Sequence, residues 1–166
     1  MADRAAASRV RLFVVADQPI NIGAAPVLMG WSATTNSLTL EAAALFAILF
    51  FWQFPHFYAI GLLYREDYAR AGMLMLPSLE ANDKSTSTLI LVFTHLLIIA
   101  SLLLTFIAHT GTLYLVSAII LGICFYYFAY QASVSASKLT AKRLLHASVI
   151  YLPLLYLSMI LDRLNR

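Results

Sequence analysis

The stretch LILVFTHLLIIASLLLTFIA, residues 89–108, holds no charged side chain, and its polar residues are Thr94, His95, Ser101 and Thr105. A helix crossing a hydrocarbon core about 30 Å thick takes roughly 20 mostly apolar residues, so 89–108 is long enough for one span. Working outward, 42–63, 113–132 and 144–161 are further runs of that kind, each bounded by polar or charged residues. A poorer run, bearing Gly and Pro, covers 20–33 and follows the short apolar piece 12–16. The expected fold class is all-α: a polytopic transmembrane helix bundle with four firm spans and one partial N-terminal span. No repeat, low-complexity tract or linker divides the chain, so 1–166 is expected to form a single membrane domain.

Composition points the same way. Of the 166 residues, 61% are hydrophobic and 11% charged, against about 45–50% and about 25% in ordinary soluble domains. A small domain exposes much of its surface, and this much apolar surface needs a non-aqueous solvent. The lipid bilayer is that solvent. Cys124 lies in an apolar run with no second cysteine to pair with, and is expected to be a small buried hydrophobe. No secretory signal is expected, because the apolar stretch after the Ala- and Arg-rich 1–11 is short and broken by Asp17 and Pro19. Asp3 and the same short length argue against an organelle transit peptide.

The formal charge of +3 comes from 11 Lys and Arg against 8 Asp and Glu, and the longest basic run is the pair Lys142 and Arg143. That argues against nucleic acid as a partner. With spans alternating in direction, Arg65, Arg70, Lys84, Lys138, Lys142 and Arg143 fall on one side, while the connectors 32–41 and 109–112 carry no Lys or Arg. The positive-inside rule then places 64–87 and 133–143 in the cytoplasm. Arg4, Arg9 and Arg11 agree if the partial span crosses; Arg163 and Arg166 run against the trend. The connector 64–87 is long for a helix bundle, and loops of that length are usually functional or disordered. It carries Glu66, Asp67, Glu80 and Asp83, half of the acidic residues.

Within 42–63 lies Trp52-Gln53-Phe54-Pro55-His56-Phe57. Pro55 removes one backbone hydrogen bond and is expected to open the helix. Gln53 and His56 are costly to bury in lipid, so they should face the bundle interior. At about 100° per residue, His56, Ile60, Leu63 and Asp67 share one stripe, and a helix continuing that far puts His56 roughly 16 Å below Asp67. Such a groove suits an amphiphile with a charged head and an apolar tail. Plainer readings stand beside these. His56 is equally read as a packed interior residue, and Glu66 and Asp67 between Arg65 and Arg70 as a charge-balanced helix end. His95, His109 and His146 read as structural or interfacial. Phe125, Tyr126, Tyr127, Phe128 and Tyr130 read as an interfacial belt rather than a cofactor wall.

Three blocks add to this picture. Gly23-Ala24-Ala25-Pro26-Val27-Leu28-Met29-Gly30-Trp31, Phe51-Trp52-Gln53-Phe54-Pro55-His56-Phe57 and Asp67-Tyr68-Ala69-Arg70-Ala71-Gly72-Met73-Leu74-Met75-Leu76-Pro77 resemble, in order and spacing, three blocks of haem O synthase (protohaem IX farnesyltransferase). That family belongs to the intramembrane prenyltransferase superfamily. The region from Leu89 onward matches it mainly in hydropathy and spacing, with Ile150-Tyr151-Leu152 and Asp162 as weak further anchors.

The resemblance implies transfer of farnesyl from farnesyl diphosphate to a vinyl carbon of haem B, with addition of water, giving haem O for terminal oxidases. It implies Asp67 as a catalytic residue and magnesium contact, the Mg²⁺ arriving with the diphosphate. Glu66, Arg65, Arg70, Lys138, Lys142 and Arg143 become candidates for binding the diphosphate from the same side. His56 becomes a haem contact, either an axial ligand or a propionate partner. The implied location is the bacterial inner membrane, or the mitochondrial inner membrane in a eukaryote.

Departures from the family carry expectations too. Residues 1–20 match no part of it, and nothing here matches the Asn- and Asp-rich motif that supplies most of its magnesium site. Met73 and Leu74 replace residues that commonly include a proline. The sequence therefore reads as the C-terminal half of such an enzyme, inactive alone: a truncated product, a fragment with a misassigned start, or one piece of a split enzyme. Its expected partners are the missing N-terminal half or an oxidase assembly partner. A quinone-pathway prenyltransferase is disfavoured because Ala71, not Asp, stands four residues after Asp67. A non-catalytic membrane bundle that keeps the blocks as packing elements is the remaining alternative.

Overall fold

The computed structural model describes residues 20–70 and 84–165. Along the chain these form α1 (Ile20–Thr35), α2 (Leu40–Leu63), α3 (Arg65–Arg70), α4 (Lys84–Ile107), α5 (Thr112–Val134) and α6 (Lys138–Leu164). The apolar stretches of α2, α4, α5 and α6 are long enough to cross a bilayer. At 1.5 Å per residue the 16 described residues of α1 reach about 24 Å. Among the described residues the expected all-α bundle is thus observed, with four helices long enough to span and α1 beside them.

Each of the four long helices has two neighbours. α2 packs on α4 and α6, α5 packs on the other flanks of both, and the ring closes; α1 lies outside it against α2. Consecutive helices run antiparallel. The beginning of α5 meets the end of α6 through Gly111 and Asp162, and the end of α2 is followed by α3, which reaches the start of α6 through Glu66 and Lys138.

The burial pattern identifies the solvent. Small residues fill the helix seams: Ala42, Ala59, Ala118, Ala129, Ala132 and Ala141 are all at most 1% exposed. Large apolar side chains point outward instead, including Phe106, Ile120, Ile123, Val149 and Ile150. In lipid no hydrophobic force presses helices together, so close backbone approach and interhelical hydrogen bonds must do so. Cys124, expected to be buried, belongs to the outward face of α5, because its seam runs through Gly122, Phe125 and Ala129. An apolar run facing lipid reads the same as one facing a core.

Polar ties secure three of the helices. Ser101 of α4 donates its hydroxyl to Leu97 O at 2.9 Å and meets Tyr151 Oη of α6 at 2.9 Å, while Tyr114 of α5 donates to Ser101 O at 2.9 Å. The ring of Phe125 packs 5.1 Å from that of Tyr151. At the far end, α5 has Gly111 as its N-cap and no side chain of its own there to cap it. Asp162, 5% exposed, supplies the cap from α6, accepting from Gly111 N and from Tyr114 N.

Local sequence explains where the helices stop. Thr39 caps α2, and a Ser137–Thr140 capping box starts α6 at Lys138, well before its apolar run. After α4, His109 takes a left-handed φ of 47° and Thr110 N bonds Thr105 O at 3.2 Å, a Schellman ending. α2 runs through Pro55 as one helix, the missing N–H there removing a bond without ending the helix.

Gly23 brings α1 close to α2: a Cβ there would run into the amide of Gln53, which is 4% exposed. Gly23→Ala is expected to destabilise by up to about 2 kcal/mol, the overpacking against buried Gln53 being partly offset by helix propensity. Gly30→Ala, whose Cβ would meet nothing within 4 Å, should stabilise by up to about 1 kcal/mol through helix propensity. Thermal unfolding of both variants in detergent reads the difference; equal shifts would mean that α1 does not rest on Gln53.

Candidate functional site

An α-helix puts residues four apart on one face, so Trp52 and His56 project together from α2. Their rings stack at 4.4 Å with planes 18° apart. Both reach one residue of α6. Trp52 donates its indole N–H to the Ser148 carbonyl at 2.8 Å, and His56 Nδ1 lies 2.8 Å from Ser148 Oγ. Ser148 is fully buried and donates its hydroxyl to Leu145 O at 2.7 Å. The imidazole, itself half-buried, is therefore held by a stacked indole and a hydroxyl at the α2–α6 seam. Gln53, one residue along, is buried under α1.

The charged end is built differently. α2 stops at Leu63; Tyr64 closes it by donating its N–H to Ile60 O at 3.0 Å, and α3 begins at Arg65. The stripe from His56 to Asp67 assumed one continuous helix. That condition fails at Tyr64, so the 16 Å separation does not carry over, and Asp67 sits on a separate short helix. Asp67 pairs with Arg70 on α3, and Glu66 pairs with Lys138 of α6 at 2.9 Å. All four side chains are well exposed, and exposed pairs contribute about 0.2–1 kcal/mol each. Cations held so weakly exchange partners readily, and phosphate oxygens would compete well for them.

The structure thus brings Glu66, Asp67, Arg70 and Lys138 to one end of the bundle. Lys142 and Arg143 are exposed on the first turns of α6, and Arg65 is partly buried at the start of α3. Glu80 and Asp83, the rest of the third block, and Arg4, Arg9 and Arg11 lie outside the described residues. His95 and His146 bond their own helices, at Leu91 O (2.6 Å) and Lys142 O (2.7 Å). The aromatic cluster divides: Phe125 enters the core, whereas Tyr127 and Tyr130 point outward.

Sequence reasoning missed Ser148 altogether and gave Trp52 no role. A serine within an apolar run is a weak signal, because serine commonly back-bonds its own helix. Magnesium demands near-octahedral oxygen ligation. Among the described residues no three His, Cys, Asp or Glu side chains cluster, and the two carboxylates here are each engaged by a cation. The described residues alone do not fit a magnesium site.

Residues 21–155 match the model of the UbiA prenyltransferase family. A protein named protoheme IX farnesyltransferase from Solibacter usitatus is 45% identical over 141 residues, covering 85% of this chain and 48% of that protein. Proteins of the same name from Koribacter versatilis and Flavobacterium psychrophilum are 43% and 44% identical, covering 85% and 87% of this chain and 48% and 49% of their own lengths. The chain spans about half the length of these curated relatives. No solved structure matches.

Proposed function

This chain belongs to the UbiA prenyltransferase family, and from that premise we propose that it forms half of a membrane-embedded protohaem IX farnesyltransferase. The observation that carries this reading is the 45% identity, across 85% of the chain, to a relative bearing that name. In the proposed reaction the bond between C1 of the farnesyl group and the diphosphate oxygen breaks, and diphosphate leaves with the electron pair. A vinyl carbon of haem B captures the allylic cation, and water adds at the neighbouring carbon with loss of a proton.

The cationic side chains at the α3–α6 end are assigned to the diphosphate: Arg70 and Lys138 foremost, then Arg65, Lys142 and Arg143. Glu66 and Asp67 hold Lys138 and Arg70 until substrate arrives. Asp67 is further proposed as this half's one contact to a diphosphate-bound magnesium, with the remaining ligands drawn from the phosphates and from elsewhere in the enzyme. His56 is proposed as the haem contact. The membrane proposed is the bacterial inner membrane, with the 64–87 and 133–143 loops in the cytoplasm, where the positive-inside rule puts them. A quinone-pathway acceptor has less support, since the name shared by these three relatives refers to protohaem.

The test is an enzyme of full family length carrying this stretch, reconstituted in lipid with haem B and farnesyl diphosphate. Mass spectrometry should find haem gaining one farnesyl and one hydroxyl group; prenylation of a quinone precursor instead would replace the reading. In that enzyme Asp67→Asn should lower turnover at least about tenfold, the equivalent of losing one charge-assisted contact, with protein level unchanged. Parallel losses of level and turnover would assign Asp67 to folding.

A further inference from the structure

We infer that Ser148 is a positioning residue that holds His56 as its Nδ1–H tautomer, so that Nε2 presents a bare lone pair to the iron of the porphyrin. The inference rests on the proposed function and deepens it, because it decides between two ways His56 could meet haem. A propionate contact needs an N–H donor at Nε2; an axial bond to iron needs a lone pair there.

The hydrogen-bond inventory settles which is available. A serine hydroxyl has one proton, and that of Ser148 goes to Leu145 O at 2.7 Å. Its oxygen can then only accept at the 2.8 Å contact with His56 Nδ1, so Nδ1 carries the imidazole proton. A neutral ring protonated at Nδ1 is unprotonated at Nε2. Among the described residues Nε2 has no hydrogen-bond partner. Two further contacts fix the plane of the ring: the stacked Trp52 indole, and the bond by which that indole is tied to the Ser148 carbonyl; the Nδ1 contact then selects which edge faces α6. One buried residue of α6 thus sets both the protonation and the orientation of an imidazole on α2. Metal-binding histidines are held in this manner, the second nitrogen donating to a fixed acceptor, and loss of that acceptor typically weakens metal affinity about 10–100-fold.

The experiment uses the full 166-residue chain in lipid nanodiscs and has two arms. In the first, ¹⁵N-histidine NMR reads the His56 ring, identified by the signal missing in His56→Ala. Protonated Nδ1 and bare Nε2 are expected in the wild type, a tautomer mixture in Ser148→Ala, and recovery in Ser148→Thr, whose hydroxyl can back-bond in the same way. Protonated Nε2 in the wild type overturns the inference whether or not Ser148→Ala folds. In the second arm, haemin and metal-free protoporphyrin IX, which share propionates but not iron, are titrated against each variant. His56→Ala and Ser148→Ala should weaken haemin at least about tenfold, remove the histidine-ligated Soret signature, and leave the metal-free porphyrin unchanged. Equal weakening of both porphyrins would make His56 a propionate contact and overturn the inference; so would no weakening of either. Failure of the wild type to bind either porphyrin would count against the proposed function, and the first arm would still decide the tautomer.

Discussion

Asp162→Ala should destabilise the bundle by about 2–4 kcal/mol, more than any surface substitution on α6. The carboxylate, itself buried, accepts from Gly111 N and Tyr114 N at a partly buried helix start that has no other side-chain cap. Its removal leaves two N–H groups at the helix start without their side-chain acceptor. Hydrogen bonds to a charged group contribute about 1.5–3 kcal/mol each, and the positive end of the α5 dipole adds to the loss. Asp162→Asn keeps an oxygen acceptor and should cost about half as much. Equilibrium unfolding in mixed micelles reads both, and an alanine variant as stable as the wild type would show that water replaces the cap.

Tyr151→Ala should cost about 2–3 kcal/mol, and comparison with Tyr151→Phe separates its two contributions. In a water-soluble core the loss of a large ring costs about 3–5 kcal/mol, part of it the transfer of apolar surface. Here the reference state lies in lipid, so the transfer part falls away and the lost contacts with Phe125 and the cavity remain. The hydroxyl, bonded to Ser101 at 2.9 Å, is a smaller term: membrane interhelical hydrogen bonds average about 0.6 kcal/mol. Tyr151→Phe should therefore lose less than about a third of what Tyr151→Ala loses. Equal losses on unfolding would transfer the main role to the hydroxyl.

The spans were legible because hydropathy alone places them. The expected 113–132 and the observed Thr112–Val134 differ only at their ends. α6 begins six residues ahead of its apolar run, because a Ser137–Thr140 box nucleates helix above the hydrocarbon region, where polarity carries no penalty. The stop at Tyr64 had no Gly or Pro to announce it, and so the stripe joining His56 to Asp67 was drawn through a break. The blocks around His56 and Asp67 were visible as sequence, but what each touches was not. Ser148 lies 92 residues from His56, and no local pattern in an apolar run says which neighbour a serine will serve. In the sequence Asp162 carries only a family likeness; its capping of α5 emerges when the ends of two helices meet.

The ring of α2, α4, α5 and α6 is filled along its axis by Leu97, Tyr114, Phe125, Leu144 and Tyr151, each at most 2% exposed. A flat macrocycle cannot thread such a plug. On the proposed reading, a haem meeting His56 would approach from the α2–α6 flank rather than down that axis, and a molecule already dissolved among acyl chains would do so without a detour through water.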